Sequence, residues 1–423
     1  MLTIQFIKEN PQEVIDRLKV KNVDAKDLVS EIIDLDNARR ENQKNLDDTL
    51  AESKNIAKEI GLLFKQGKAS EANALKEKTS LLKETSKKYS EALSTSEKQL
   101  EEKLLLLPNL PNKAVKPGTS DADNEILENY GTIPELPENA QAHWDLASKY
   151  QLIDFELGTK ISGAGFPVYK GKGAKLQRAL ISFFLDEASE AGYAEIMPPL
   201  LVNEDSGYGT GQLPDKEGQM YHVGIDNLYL IPTAEVPVTN IYRNVILKAD
   251  ELPKKNVAYS SCFRREAGSY GKDVRGLNRL HQFEKVEIVQ IQHPEKSYET
   301  LEEMRSYVAS LLQKLELPYR VLRLCGGDLS FTSALTYDFE VYSAAQKRWL
   351  EVSSVSNFES YQANRMKLRF KDENGKNQLA HTLNGSALAL PRIVAALLEN
   401  NQTQEGIRIP KVLQPYTRFD LIS

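Results

Sequence analysis

The stretch SSCFRREAGSYGKDVRGLNRLHQFEKVEIV, residues 260–289, places charge where one face of a strand should be apolar. Read with strand alternation, Cys262, Arg264 and Glu266 share a face, with Phe263 and Arg265 opposite. A second strand puts Phe283, Lys285 and Glu287 on one side and Glu284, Val286 and Ile288 on the other, and a polar, glycine-rich loop joins the two. A guanidinium is a fixed fork that can bridge a carboxylate and a phosphate, so such a hairpin can compensate anionic charge. The same residues also suit a solvated edge ribbon, with Arg264 and Glu266 as a surface ion pair and Phe283 as a core aromatic. No glycine-rich strand-to-helix fingerprint and no GxxxxGK[ST] phosphate loop accompanies them, so any nucleotide must be held by another route.

The rest of the chain must position these residues. Its 423 residues allow two or three domains, and 41% hydrophobic residues is ordinary for a soluble protein. A net charge of −6 gives no global nucleic-acid signature, so a polyanion surface has to be local. Cys262 and Cys325 are the only cysteines; they form neither a disulfide framework nor a zinc cluster and fit a reducing cytosol. The first twenty residues lack the apolar run of a secretory signal, and no window nears 18 uninterrupted apolar residues. A cytoplasmic protein without membrane spans is expected.

Two stretches follow a four-three rhythm. The first runs Leu28, Ile32, Leu35, Arg39, Asn42, Leu46, Thr49, Ser53, Ile56, Ile60, Leu63, and the second Leu75, Thr79, Leu82, Ser86, Tyr89, Leu93, Ser96, Leu100, Lys103, Leu107. These are heptad seams free of proline, joined through Gly67, and they predict a long antiparallel helical hairpin. Between Lys54 and Lys88 there are nine lysines and four glutamates, so the distal half is basic and could track a phosphate backbone. A structural or dimerising coiled coil with a solvated Lys/Glu surface would look similar. Pro108, Pro111 and Pro117 then end the helix. The expected division is residues 1–107, a linker at 108–120, and a second domain at 121–423.

In that domain, helices are expected near 174–191, 298–314 and 388–400, the last starting about Pro391. Strands or hairpins are expected at LYLIPTAEVPVTNIY, NVAYSSCFRRE, LHQFEKVEIVQI and YDFEVYSAAQKRWLEVSSVS, giving an antiparallel sheet with packed helices, an α+β domain. FRRE resembles motif 2 of the class II aminoacyl-tRNA synthetases, GYAEIMPP their motif 1 with its proline at Pro199, and NGSALALPR, ending at Arg392, their motif 3. GTGQLP, IPTAEVPVTN, LNRLHQFEKVE and EVSSVSNFESYQANRM narrow the resemblance to the bacterial-type seryl-tRNA synthetase family, in order and over nearly the whole chain.

The resemblance implies an ATP-dependent serine-tRNA ligase. Serine carboxylate attacks the α-phosphorus of ATP, pyrophosphate leaves, and the seryl group passes to the terminal adenosine of serine tRNA. Whether a selenocysteine tRNA is also charged stays open. Catalytic charge compensation falls to Arg264, Arg279 and Arg392. ATP is further assigned to Arg265, Glu266, Leu280, Phe283, Glu351, Val352, Ser353 and Ser354, with adenine stacked between Phe283 and Arg392. Serine is assigned to Thr233, Ala234, Glu235, Arg264, Glu287, Asn384 and Ser386, whose polar groups would be left unpaired by a substrate lacking the hydroxyl. Magnesium, which takes hard oxygens, is assigned to Glu351 and Ser354; no zinc is expected. Lys54, Lys58, Lys76, Lys83 and Lys87 would meet the long variable arm of the tRNA, and Pro199 would lie at a homodimer interface.

The pattern departs from the family at Ser330, where glycine is expected before Phe331, at Leu335 for a basic residue, at Asp215 and Lys216, and at Val355 for cysteine. A non-catalytic RNA-binding relative would be expected to lose one of Arg264, Glu266, Glu287, Glu351 or Arg392. An amino acid:carrier-protein ligase would need no helical arm.

Overall fold

The computed structural model describes every residue except Pro137, Lys216 and residues 267–274. The atypical Lys216 and most of the loop between the two charged strands therefore lie outside the described residues. The chain divides into two compact units, Met1–Lys19 with Val23–Pro108, and Val20–Asn22 with Asn109–Ser423.

In the first unit, two short helices, α1 (Ile4–Glu9) and α2 (Pro11–Lys19), precede the long α3 (Lys26–Lys65) and α4 (Ala69–Leu106), which pack together as an antiparallel pair. At 1.5 Å per residue, α3 spans roughly 60 Å. All the seam positions named above are buried or half-buried, the polar ones included. Asn42 donates to Ser96 across the seam at 3.3 Å, and Thr49 turns back on the Asn45 carbonyl at 2.6 Å. Near the base, fully buried Asp36 collects Lys8 at 2.8 Å, Arg39 at 2.9 Å and Arg40 at 2.8 Å. A buried carboxylate is tolerated only when paired, and these three cations pair it. Lys54, Lys58, Lys76, Lys83 and Lys87 are all exposed.

The second unit is built on an eight-stranded sheet. Its strands in chain order are β1 (Glu125–Tyr130), β2 (Ala194–Glu195), β3 (Lys254–Phe263), β4 (Gln282–Gln292), β5 (Tyr319–Arg323), β6 (Leu335–Ser343), β7 (Arg348–Asn357) and β8 (His381–Ala389). They lie in the order β1-β5-β6-β7-β8-β4-β3-β2; the pairs are antiparallel except β2 with β3. Val286, Ile288, Phe339, Val352 and Leu383 point into one core with helices Gly171–Glu190, Ser297–Lys314 and Leu390–Asn400. The helix bearing Arg392 thus begins one residue before the proline marked in the sequence.

Two expected strands are corrected. In LYLIPTAEVPVTNIY only Leu228–Leu230 is extended, while Glu235–Asn240 is helical. The Thr233 hydroxyl accepts the Glu235 N–H at 3.2 Å, and Pro237 sits within the first turn, where its missing N–H costs nothing. The other is FRRE, since β3 ends at Phe263 and Glu266 adopts φ 48°. Glu266 therefore leaves the alternation that was to align it with Arg264.

The segment after Pro108 is tied into the second unit rather than free. The Asn109 N–H donates to the Phe331 carbonyl at 2.9 Å and its amide to the Phe358 carbonyl at 2.8 Å. Lys21 donates to the Ser330 and Ser333 carbonyls at 2.7 and 2.9 Å, and burial lowers its pKa to about 7. Ser330, the departure from the family, also accepts the Ser333 N–H at 3.3 Å.

Candidate active site

Register assembles the site on the sheet face opposite the core. Residues directly across an antiparallel ladder share a face. Cys262 pairs with Phe283, Ser260 with Lys285, Glu287 with Ser386, Asn384 with Ser356, and Ser354 with Asp338. A polar band therefore crosses five strands, while their apolar neighbours fill the core.

At the band's centre Glu287, Lys285, Thr233 and Glu235 are all buried. The Lys285 ammonium pairs with Glu287 and donates to the Thr233 hydroxyl at 2.8 Å, and Ser386 donates to Glu287 at 3.3 Å. Gln362 donates to Glu235 at 2.7 Å and accepts from Thr382 at 2.7 Å. Burial first, and then the Glu287 charge, push the Glu235 carboxyl up to about 7; Gln362, Lys285 and Asn384 act in the opposite sense. The structure thus brings Thr233, Glu235, Glu287, Asn384 and Ser386 together. It adds Lys285 and Gln362, which sequence reasoning did not select. Lys285 was visible on the charged face between Phe283 and Glu287; Gln362, from a distant segment, carried no local signal.

Arg264 projects just beyond β3. Its Nε donates to the Pro232 carbonyl at 3.3 Å, and its guanidinium lies 5.2 Å from the Phe283 ring centroid. The flat face expected to receive adenine thus carries an arginine here, the geometry of a cation–π contact. Arg279 pairs with Glu266 at 3.1 Å.

Arg392 leaves the first turn of its helix, donates from Nε to the Asn278 carbonyl at 3.1 Å and from Nη1 to the Glu351 carbonyl at 2.6 Å, and stands 3.9 Å from the Glu351 carboxylate. Exposed Glu351, half-buried Ser354 and buried Asp338 lie on adjoining strands. Burial, followed by the charge of Glu351, holds the Asp338 carboxyl well above its usual range, and its Oδ1 has no hydrogen-bond partner. This unpartnered Asp338 oxygen and the Glu351 carboxyl are hard oxygens of the kind magnesium takes, and among the described residues no group of three or more His, Cys, Asp or Glu side chains is arranged to hold a metal ion.

Other residues expected to make contacts have side chains engaged elsewhere or exposed. Val352, Leu280 and Ala234 turn their side chains into apolar clusters, and Ser353 donates to the Ser386 carbonyl at 2.6 Å. Arg265 is exposed, with its N–H on the Gln219 carbonyl at 2.8 Å. Pro199 is exposed and stands outside these groups.

An antiparallel sheet with an arginine at the end of one strand and a second at a helix start, across an acidic band, has the arrangement of a class II aminoacyl-tRNA synthetase core. Residues 221–401 match the family described as the tRNA synthetase class II core domain (G, H, P, S and T), and residues 1–111 match the seryl-tRNA synthetase N-terminal domain. The serine–tRNA ligase of Salinibacter ruber is 49% identical over 99% of this chain and 98% of its own length. Seryl-tRNA synthetase from Pyrococcus horikoshii, solved with ATP, is 34% identical with a TM-score of 0.92 over 100% of this chain and 99% of that one. The cytoplasmic serine–tRNA ligase of Naegleria fowleri, solved with AMP, is 27% identical with a TM-score of 0.87 over the same shares. The chain belongs to the seryl-tRNA synthetase family.

The raised Glu235 carboxyl makes stability depend on pH. The folded protein keeps this proton up to about 7, whereas the unfolded chain loses it near 4.5. In that window the folded state binds more protons, so stability falls as pH rises. Glu235→Gln abolishes this contribution, worth roughly 3 kcal/mol across the window. Denaturant unfolding of both proteins at pH 4.5 and 7 measures it; parallel changes in the two would refute the assignment.

Proposed function

We infer that this chain is an ATP-dependent serine-tRNA ligase working in the cytoplasm. A serine carboxylate oxygen attacks the α-phosphorus of ATP, the bond to pyrophosphate breaks, and seryl-adenylate forms. A ribose hydroxyl at the 3′ end of serine tRNA then attacks the seryl carbonyl and AMP leaves. The observation that carries this reading is the buried Glu287–Lys285–Thr233 group, adjoined by Glu235 and flanked by Arg264. It offers anionic and hydroxyl partners for a small amino acid next to a guanidinium able to grip the reacting carboxylate and phosphate.

In this reading Glu287 and the Thr233 region, with Ala234, receive the serine ammonium, and Glu235, Asn384 and Ser386 complete the pocket. Lys285 keeps Glu287 compensated while the pocket is empty. Arg264 orients both reactants, and Phe283 presents its ring to adenine once the guanidinium turns to the phosphates. Glu266 receives the adenine amino group, and Arg279 exchanges Glu266 for phosphate. The backbone at Arg265, Leu280, Val352 and Ser353 lines the nucleotide, and Arg392 covers its far side. These are orienting and charge-compensating roles, which supply most of the acceleration in such transfers. Glu351 and Ser354, with Asp338 behind them, would hold magnesium, which when bound neutralises phosphate charge.

Two surfaces complete the proposal. Around Pro199 the side chains of Met197, Leu200 and Leu201 are 91%, 38% and 41% exposed, an apolar patch that a second copy would cover in a two-fold homodimer. On the hairpin, exposed Lys54, Lys58, Lys76, Lys83 and Lys87 suit a phosphate backbone read by shape, as RNA helices are. The variable arm of serine tRNA is the proposed partner.

Serine-dependent ATP–pyrophosphate exchange is the direct test. Arg264→Ala is expected to lower exchange by about 100-fold or more while keeping the melting temperature, and full exchange in the folded variant would overturn the role. Sedimentation should show a dimer; a fully active monomer at assay concentration would exclude the interface. Changing the five lysines to Gln should raise the KM for tRNA and flatten its salt dependence, by about 0.7–0.9 in log–log slope for each phosphate no longer neutralised. An unchanged slope would leave the hairpin without a part in tRNA binding.

A further inference from the structure

Behind the nucleotide side of the site lies a buried polar group that none of the roles above uses. His143 and Glu399, 256 positions apart, are both fully buried. The Glu399 Oε1 accepts the His143 backbone N–H at 2.9 Å and stands 2.7 Å from Nδ1. The Leu277 N–H donates to Nε2 at 2.8 Å. That bond makes Nε2 an acceptor, so in the neutral ring the proton sits on Nδ1 and is donated to Glu399. Burial works to raise the Glu399 carboxyl, yet hydrogen bonds from His143 and Ser343 hold it below its ordinary range, in the form that accepts that proton.

The same carboxylate reaches the nucleotide side by a second route. Gln346 donates to Glu399 at 3.0 Å and accepts from the Asn278 amide at 3.2 Å, while the Asn278 carbonyl receives Arg392 at 3.1 Å. The chain between these anchors rests directly on the ring. Gly276 has φ 68°, a Cβ there would stand 2.2 Å from His143 Nε2, and Arg275 lies 4.5 Å over Trp144. Glycine is required both by the left-handed backbone and by this approach.

We propose that His143, locked in one tautomer by Glu399, is a positioning residue for ATP. It fixes residues 275–279 so that Arg279 and the carbonyl seating Arg392 stand in place before the nucleotide arrives. The proposal rests on the ligase reading above and deepens it. Losing the latch should loosen the nucleotide side and leave the buried serine group, which shares none of these bonds, untouched.

The test is pyrophosphate exchange with ATP and serine varied separately. His143→Leu can neither accept from Leu277 nor donate to Glu399. It is expected to raise the KM for ATP about tenfold and to change that for serine less than about twofold. In His143→Gln the amide oxygen and nitrogen can take the places of Nε2 and Nδ1, so most of the ATP affinity should return. Equal shifts in both constants, a fall in melting temperature alone, or a Gln variant no better than Leu would overturn the proposal. Should His143→Leu not fold, Gly276→Ala presses the same ring at Nε2 and must show the same ATP-selective change; an unaltered KM for ATP in that folded variant overturns it equally. Absence of serine-dependent exchange in the unaltered protein would instead overturn the ligase reading itself.

Discussion

The second unit depends on one exchange of charge beneath its surface, the contact of Lys285 with Glu287. A buried carboxylate without a partner costs several kcal/mol, and a buried ammonium costs as much. Two residues apart on β4, the pair share a face and neutralise each other, and a second hydrogen-bonding direction of the ammonium is met by Thr233. This lets a central strand keep charge at its middle.

Around that contact the sheet keeps two kinds of surface on the same strands. Val286 and Ile288 belong to the main core, while Lys285 and Glu287 belong to the polar band. The helices on the core side therefore do more than stabilise. The Leu390–Asn400 helix carries Arg392 at its start and Glu399 near its end, so its packing sets the depth of both. The acid pair Asp338 and Glu351 is the complementary case, since burial and the neighbouring charge there favour the protonated form of Asp338.

Much of this was legible in the residues. The helical hairpin followed from a seven-residue rhythm that stayed readable through polar seam positions, because Asn42, Ser96 and Thr49 find partners without leaving the interface. The charged face of β4 was legible because strand alternation is nearly rigid, whereas Asn384 and Ser386 on β8 were marked only by the resemblance. The misses arose where local pattern yields to tertiary contact. Glu266 was aligned with Arg264 by extending a strand that ends at Phe263. Glu235–Asn240 reads as a strand by its valines and threonine but is helical under the Thr233 hydroxyl. Lys285 invited a solvated reading because lysine is rarely buried. The His143–Glu399 pair joins residues too far apart for any window to connect.

The alternation along β4 has a consequence for folding fidelity. A slip of one residue in its pairing would carry Val286 and Ile288 to the polar band and drive Lys285 and Glu287 into the apolar core. Either displacement alone would be costly; together they leave a misregistered sheet neither a dry interior nor a satisfied surface. The polarity that serves chemistry thus also proofreads strand pairing, so the chain reports an error of assembly as instability rather than as a folded protein with a distorted site.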